Sequence, residues 1–389
     1  MSLTIATGGQ LLVHGPLDGG DAAAPLRRAL ADAVAFSNFE ACVETEGAWP
    51  TKAKTLHLAA PGAMGSLRAL GFSAVTHANN HAFDLGPPGL ARTRDTALAA
   101  GLAFAGSGAT LDAAWAPALV GIAGRQVAVI AFDLGPQPDI VYAAPSRAGI
   151  ARVATQRVVA VPPDLFATLA GFEDALGDRR RTAARAAVGY GAAGPTEGFD
   201  LFGTRIRSGD ALGDGREADP TDMARAAQAI AAARAAGAAL VAVSLHSHHW
   251  DSDWTVTPAW LTGLGRRLID AGADMIVGHG APVLQGVSFH AGKPILSGLG
   301  NLVFHTRRGD TYRREGVDVF RGAVVRACFA GDGTFEKLSV LPVAVPEEAR
   351  EGPSPPPVPL GGDDADAIME RLAGGLSAGE RALVERIQA

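Results

Sequence analysis

Cysteine is scarce in this chain, with Cys42 and Cys328 the only two among 389 residues. They lie far apart in sequence, so no disulfide framework is implied. Nor is there a run of about eighteen apolar residues, the length that a membrane-crossing helix needs. The opening Met1-Ser-Leu-Thr-Ile-Ala-Thr7 has neither a basic segment nor an apolar one and does not read as a secretory signal. A cytoplasmic location with no membrane partner is the expectation. Strongly basic blocks are missing and the formal net charge is −6, which argues against nucleic acid as the main partner. The short run Arg179-Arg180-Arg181 reads as a solvated face. No internal repeat is visible.

What is present is a chain that can bury a full core: 48% of it is hydrophobic and 19% charged. Its length fits one large domain or two smaller ones. One stretch organises the rest: Val241-Ala-Val-Ser-Leu-His246-Ser-His248-His249-Trp250-Asp251. A continuous apolar run with a polar end reads as a buried parallel strand. Ligands bind outside the carboxyl ends of such strands in open α/β sheets. His81 and His279 also follow apolar runs.

The same alternation runs along most of the chain. Strands are expected at Leu3–Thr7, Val34–Ser37, Ser73–Thr76, Ala103–Ala105, Val127–Phe132 and Asp274–Val277, with helices at Asp21–Ala33, Ala63–Leu70, Gly89–Ala100, Thr221–Ala236 and Pro258–Ala271. Strands alternating with helices of this length indicate βαβ units. Pro294–Phe304, broken by Gly298 and Gly300, and Gly322–Phe329 read as further strands. Residues 137–220 break the rhythm and read as a long insertion, either a lid or a peripheral excursion, with helices near Pro163–Leu176 and Arg179–Val188. Residues 1–350 then form the main domain. Residues 351–389 form a Pro-rich linker and a last helix, announced by the capping-box pair Ser377 and Glu380.

Four loops carry polar residues at strand ends: Asn38/Glu40, Asn79/Asn80/His81, His246/His248/His249 and His279. A carboxylate, an amide oxygen and several imidazoles make a mixed N/O donor set of the kind that suits zinc, manganese, iron or related divalent ions. Trp250, Trp254 and Trp260 follow the histidines and read as core packing or as walls of a pocket. Arg307 and Arg308 read as a solvated pair or as binders of a substrate carboxylate or phosphate. Cys42 reads as a buried thiol rather than a nucleophile. His14, His57, His77 and His290 read as structural or exposed.

Taken in order, the loops resemble the poly-γ-glutamate capsule-synthesis proteins, the CapA family of the calcineurin-like metallophosphatase superfamily. The resemblance rests on Asn38-Phe-Glu40, Thr76-His-Ala-Asn79-Asn80-His81-Ala-Phe-Asp84-Leu-Gly86, Val243-Ser-Leu-His246, Leu268 to Gly278-His279, Val283-Leu-Gln285-Gly286, Gly292-Lys-Pro294-Ile and Leu299-Gly300-Asn301-Leu-Val-Phe304. These segments span residues 3–330 and leave the insertion and the tail uncovered. The resemblance implies a four-layer α-β-β-α sandwich with a divalent-metal site at the sheet edge. It implies Glu40, Asn80, His246 and His279 as metal ligands and His81 as a charge stabiliser or proton donor. His248 and His249 stand beside it as supporting catalytic residues, with Asp84 orienting His81.

Two departures bear on function. Family members carry Gly-Asp after the first strand, where this chain has Gly9-Gln10. They carry a second histidine near the end of the Gly-His motif, where this chain has Pro282. Both changes fall on one of the superfamily's two metal positions. A one-metal site, or a second site rescued by His248 or Gln10, is therefore expected. The functional expectation is a metal-dependent hydrolase acting on an amide or ester bond of an anionic small molecule or polymer. The alternatives are a polymer-biosynthesis accessory protein without catalysis and a metal-dependent lyase. The sequence leaves the oligomeric state open.

Overall fold

Apolar runs that end in polar residues become the parallel cores of two sheets. The computed structural model describes residues 2–53, 55–137, 139–191 and 193–388. It divides into a large unit, Met1–Val153 with Ala224–Ala389, and a small one, Ala154–Met223.

In the large unit the first sheet has parallel strands Leu3–Gly8, Val34–Asn38, Ala74–Thr76 and Ala103–Ala105 side by side. Antiparallel Arg321–Phe329 and Phe335–Ala344 extend it beyond Leu3–Gly8. The second sheet has Arg125–Asp133, Ala238–His246, Met275–His279 and Lys293–Leu296 in parallel at its centre, with Ala118–Ile122 and Val287–His290 antiparallel at its edges. Ile5, Phe36 and Val325 of the first sheet share one buried cluster with Val127, Val129, Ala242 and Val277 of the second. The two sheets therefore pack face to face. Leu26, Leu30, Met64, Leu67 and Leu70, from helices Ala24–Leu30 and Gly62–Leu70, fill the opposite face of the first sheet. Helix Ala259–Asp270 buries Leu264, Leu268 and Ile269, and its Gly265 lies against Ile276 and Ile295 of the second sheet. The order of layers is α-β-β-α.

Burial explains the strand assignments. Ala238–His246 is almost wholly buried along its length, as a strand covered on both faces must be. Lys293–Leu296 and Asn301–Phe304 are separate strands rather than one. The break falls at Gly300, whose φ of +65° belongs to the left-handed region that glycine tolerates.

The small unit holds the expected helices, observed as Pro163–Leu176 and Asp178–Ala187. It also holds a four-stranded sheet, Phe199–Leu201, Thr204–Ser208, Thr155–Val161 and Gly213–Ala218, that the sequence reading did not anticipate. Residues 139–153 belong to the large unit, where Gly149–Ile150 pairs with Ser107–Gly108. The Pro-rich segment is pinned rather than free. Ser354 bridges to Leu17, and Val358–Pro359 adds a strand to Phe335–Ala344. The Ser377–Glu380 capping box forms as expected, on the short helix Ala378–Arg381.

Gly278 marks where the second sheet admits no side chain. A Cβ there would sit 2.0 Å from the Ser297 carbonyl oxygen. Gly278→Ala is expected to destabilise by about 1–3 kcal/mol or more. Gly263→Ala, on a helix with open space around the added Cβ, should be neutral or stabilising by up to ~1 kcal/mol. Urea midpoints of the two variants check the contrast.

Candidate functional site

The carboxyl ends of the parallel strands deliver the polar loops. Glu40 lies two residues past Val34–Asn38, and its backbone N–H donates to the Leu11 carbonyl (2.9 Å). The Asn79 side-chain amide donates to Asn38 Oδ1 (3.0 Å) and to the Phe39 carbonyl (2.8 Å), and its oxygen accepts the His81 N–H (3.0 Å). Asn79 thus staples the Glu40 loop to the His81 loop and leaves Asn80 free to face the second sheet. His77 does similar work behind them. Its ring nitrogens reach Ser107 Oγ and the Ala41 carbonyl, both at 2.9 Å.

On the other sheet, Asp133, His246 and His279 stand abreast at the ends of three neighbouring strands. His246 Nε2 lies 2.9 Å from Asn80 Oδ1, 3.0 Å from His248 Nε2 and 3.8 Å from Glu40 Oε1. His248 Nε2 lies 3.7 Å from Glu40 Oε1. Ligand atoms of Glu40, His246 and His248 thus fall within 4.8 Å of one another. His279 is buried beside His246, and neither of its ring nitrogens has a hydrogen-bond partner among the described residues; the same is true of Glu40 Oε2. Burial drives the His279 pKa down to about 3. Burial also lowers that of His246, and the neighbouring histidines add to it. Both rings are neutral at pH 7, the form that binds metal. His249 turns elsewhere: its Nε2 lies 3.2 Å from the Leu134 carbonyl.

His81 holds its Nδ1 2.8 Å from Asp84 Oδ2, and the other Asp84 oxygen pairs with the buried Lys52 ammonium at 2.5 Å. Burial alone would raise the Asp84 pKa, but the His81 hydrogen bond, the His81 charge and Lys52 outweigh it and the net shift is downward. Asp84 therefore stays ionised and fixes the His81 ring. Glu40, Asn80, His81 and His248 open onto one cleft of about 970 Å³, together with Trp250, Arg307 and Arg308. Trp250 stacks on the His248 ring at 5.0 Å. Cys42 is buried and its thiol is pushed up to about 11 by burial, which suits the inert reading.

A family model described as bacterial capsule synthesis protein PGA_cap matches residues 5–306. The chain belongs to this family. An uncharacterized protein of Sinorhizobium fredii is 29% identical over 262 residues, covering 65% of this chain and 53% of that relative. A probable polyglutamine synthesis accessory protein of Mycobacterium tuberculosis is 26% identical over 285 residues, covering 73% of this chain and 58% of that relative. The chain thus spans little more than half the length of these relatives. Among solved structures, Haemophilus influenzae NAD nucleotidase aligns over 99% of this chain and 57% of its own, with a TM-score of 0.38 and 8% identity.

The two positions expected to depart from the family pattern, Gln10 and Pro282, meet in space. Gln10 is buried and its Oε1 accepts the Gly280 N–H at 3.0 Å. Gln10 and Pro282 line the same cleft. The amide therefore closes on the backbone of the loop that carries Pro282. Two residues that the sequence reading passed over also belong here. Asp133 is buried; its Oδ2 accepts Tyr142 O–H (2.8 Å) and Gly135 N–H (3.0 Å), and burial raises its pKa to about 6. Its signal was the one used for His246, an apolar run ending in a polar residue. Lys52 lies in a loop without periodicity and gave no such signal. Among the described residues no helix is long and apolar enough to cross a membrane.

Two outcomes follow from the buried groups. Asp84→Asn leaves Lys52 as an uncompensated buried charge and should cost about 3–5 kcal/mol, read from denaturant unfolding. His77 titrates near 4, chiefly through burial, against 6.5 when free. Between those values the unfolded chain binds the proton and the folded chain does not. Stability therefore falls as pH drops from 6.5 to 4, by on the order of 3 kcal/mol from this residue. Unfolding midpoints across that range should show a flatter pH dependence in His77→Gln.

Proposed function

We propose that this protein is a divalent-metal-dependent hydrolase with a one-metal site, acting on an amide or ester bond of an anionic small molecule or polymer. One observation carries the reading: Glu40, His246 and His248 bring ligand atoms within 4.8 Å of one another. The donors fit a divalent ion such as zinc, manganese or iron, being a carboxylate and neutral imidazoles with an amide oxygen at hand. The buried, unpartnered atoms of Glu40 and His279 point the same way, because stranded polar groups are costly unless something binds them. In this assignment Glu40, His246 and His248 hold the ion with Asn80 beside them, and His279, buried next to His246 but outside that cluster, is a further ligand. When bound, a divalent ion supplies Lewis-acid polarisation and an acidified water.

The chain's own residues do the remaining work. His81 keeps Nδ1 on Asp84, so Nε2 is the nitrogen that takes or gives a proton. Arg307 and Arg308 on the cleft wall suit a substrate carboxylate or phosphate. The Gln10 Oε1, the side-chain oxygen that could reach a second metal position, is taken up by the Gly280 N–H, which favours one ion there over a pair.

A second reading is an accessory protein of polymer synthesis without chemistry of its own. The description of the Mycobacterium tuberculosis relative as a probable polyglutamine synthesis accessory protein and the glutamine and proline at residues 10 and 282 favour it. Metal content and product analysis separate the two. The hydrolase reading expects bound divalent ion, hydrolysis of γ-glutamyl amides or anionic esters, and a loss of about 100-fold or more in Glu40→Ala, as for removal of a metal-ligand shell. A wild-type protein free of divalent ion, with function untouched by Glu40→Ala, would leave the accessory reading standing.

A further inference from the structure

A second cluster in the same cleft uses none of the residues just discussed. Strands Gln10–Leu12 and Asn301–Phe304 run parallel, with Leu12 opposite Phe304. The chain ends that leave them bring His14 and His305 together. His305 N–H donates to the Leu12 carbonyl and His14 N–H donates to His305 Nδ1, both at 2.9 Å. Glu348 arrives four residues past strand Phe335–Ala344. Its oxygens lie 3.1 and 3.2 Å from His14 Nδ1, and one lies 3.7 Å from His305 Nδ1. Ring nitrogens of His14 and His305 and a carboxylate oxygen of Glu348 all fall within 4.8 Å of one another.

We propose that His14, His305 and Glu348 form a second divalent-cation site, of zinc type, separate from the Glu40 cluster. Zinc binds imidazole nitrogen and carboxylate oxygen at about 2.0–2.2 Å, which puts neighbouring tetrahedral donors roughly 3.4 Å apart. The His14–Glu348 spacing is already close to that. An ion there takes the place of the proton that His14 shares with Glu348. His14 also has the outer partner that a metal-bound imidazole ordinarily has: its Nε2 lies 3.0 Å from His57 Nδ1. His57 is held neutral, its pKa lowered to about 3 by burial and then by His81 and His14, so it can accept a proton from the His14 ring. Burial likewise lowers His305 to about 4, against the opposing pull of Glu348. The neighbouring Glu347 is taken by Arg313, which leaves Glu348 to the histidines.

The site is reachable. His14 is 20% and Glu348 35% exposed, and both line the cleft. Taking up the ion costs the contact from the His14 backbone to His305 Nδ1, one neutral hydrogen bond exchanged for a metal–imidazole bond. A plain ion pair between His14 and Glu348 would use neither His305 nor the His57 contact.

The test is equilibrium dialysis of the full-length chain, stripped with chelator, against Zn²⁺ alone. Metal per protein is measured for wild type, Glu40→Ala, Glu348→Gln, His14→Gln and the Glu40→Ala, Glu348→Gln double variant. The inference expects Glu348→Gln and His14→Gln each to lose one equivalent, and Glu40→Ala to retain an equivalent that Glu348→Gln removes in the double variant. X-ray absorption of zinc-loaded Glu40→Ala should show nitrogen and oxygen donors with two imidazoles. Circular dichroism confirms that each variant is folded. Glu348 is partly exposed, so its variant tests the site even if His14→Gln does not fold. Unchanged stoichiometry in folded Glu348→Gln overturns the inference. A wild type that binds one equivalent, lost in Glu348→Gln but kept in Glu40→Ala, sinks the one-metal hydrolase reading and leaves this one intact.

Discussion

The in-register pairing of three parallel strands is the constraint on which the rest of the structure depends. Arg125–Asp133, Ala238–His246 and Met275–His279 place Asp133, His246 and His279 side by side. Strand side chains alternate with a period of two, so a slip of one residue would turn all of them to the opposite face. The apolar residues before them set that register by filling the interior between the sheets. Burial of the core and alignment of the polar row are thus one event. The first sheet meets the row through Asn80 and Glu40, and Thr76 Oγ1, 3.2 Å from Ser244 Oγ, ties the two sheets just beneath it.

Electrostatics in the cleft follow from the same packing. The imidazoles of His246 and His279 are too deep to carry charge. Among the described residues the most enclosed ion pair, Lys52 with Asp84, sits behind His81. Its worth lies less in net stability than in fixing one ring orientation, since buried pairs barely repay their desolvation. Neutral imidazoles therefore lie buried behind His248 at the back of the cleft, while the carboxylate-backed His81 lines it.

The sequence showed much of this and hid the rest for physical reasons. The strand ends at Glu40, His81, His246 and His279 were readable because a two-sided sheet demands apolar runs, and the run stops where the chain leaves the interior. Asp133 obeyed that rule and was overlooked because no cluster of histidines drew attention to it. Lys52 and Glu348 come from loops, whose placement depends on long-range packing that local pattern does not encode. His14 and His57 read as structural or exposed, and His305 drew no reading at all, because their meeting depends on a short pairing between residues some 290 positions apart. The sheet in the small unit escaped notice because its strands carry arginines and acids that pair across exposed faces, such as Arg157 with Asp214 and Arg207 with Glu217. A half-exposed sheet has no need of long apolar runs.

The small unit leaves and returns at nearly one point. Asp219 N–H donates to the Ala154 carbonyl at 2.8 Å, and Ala154 N–H donates to Asp222 Oδ2 at 2.9 Å. The seventy residues between those ends form a loop whose mouth is already shut. Such a cassette can be trimmed, lengthened or exchanged by evolution without re-threading the sandwich, so relatives with the same histidine-bearing edge are free to differ most at this place.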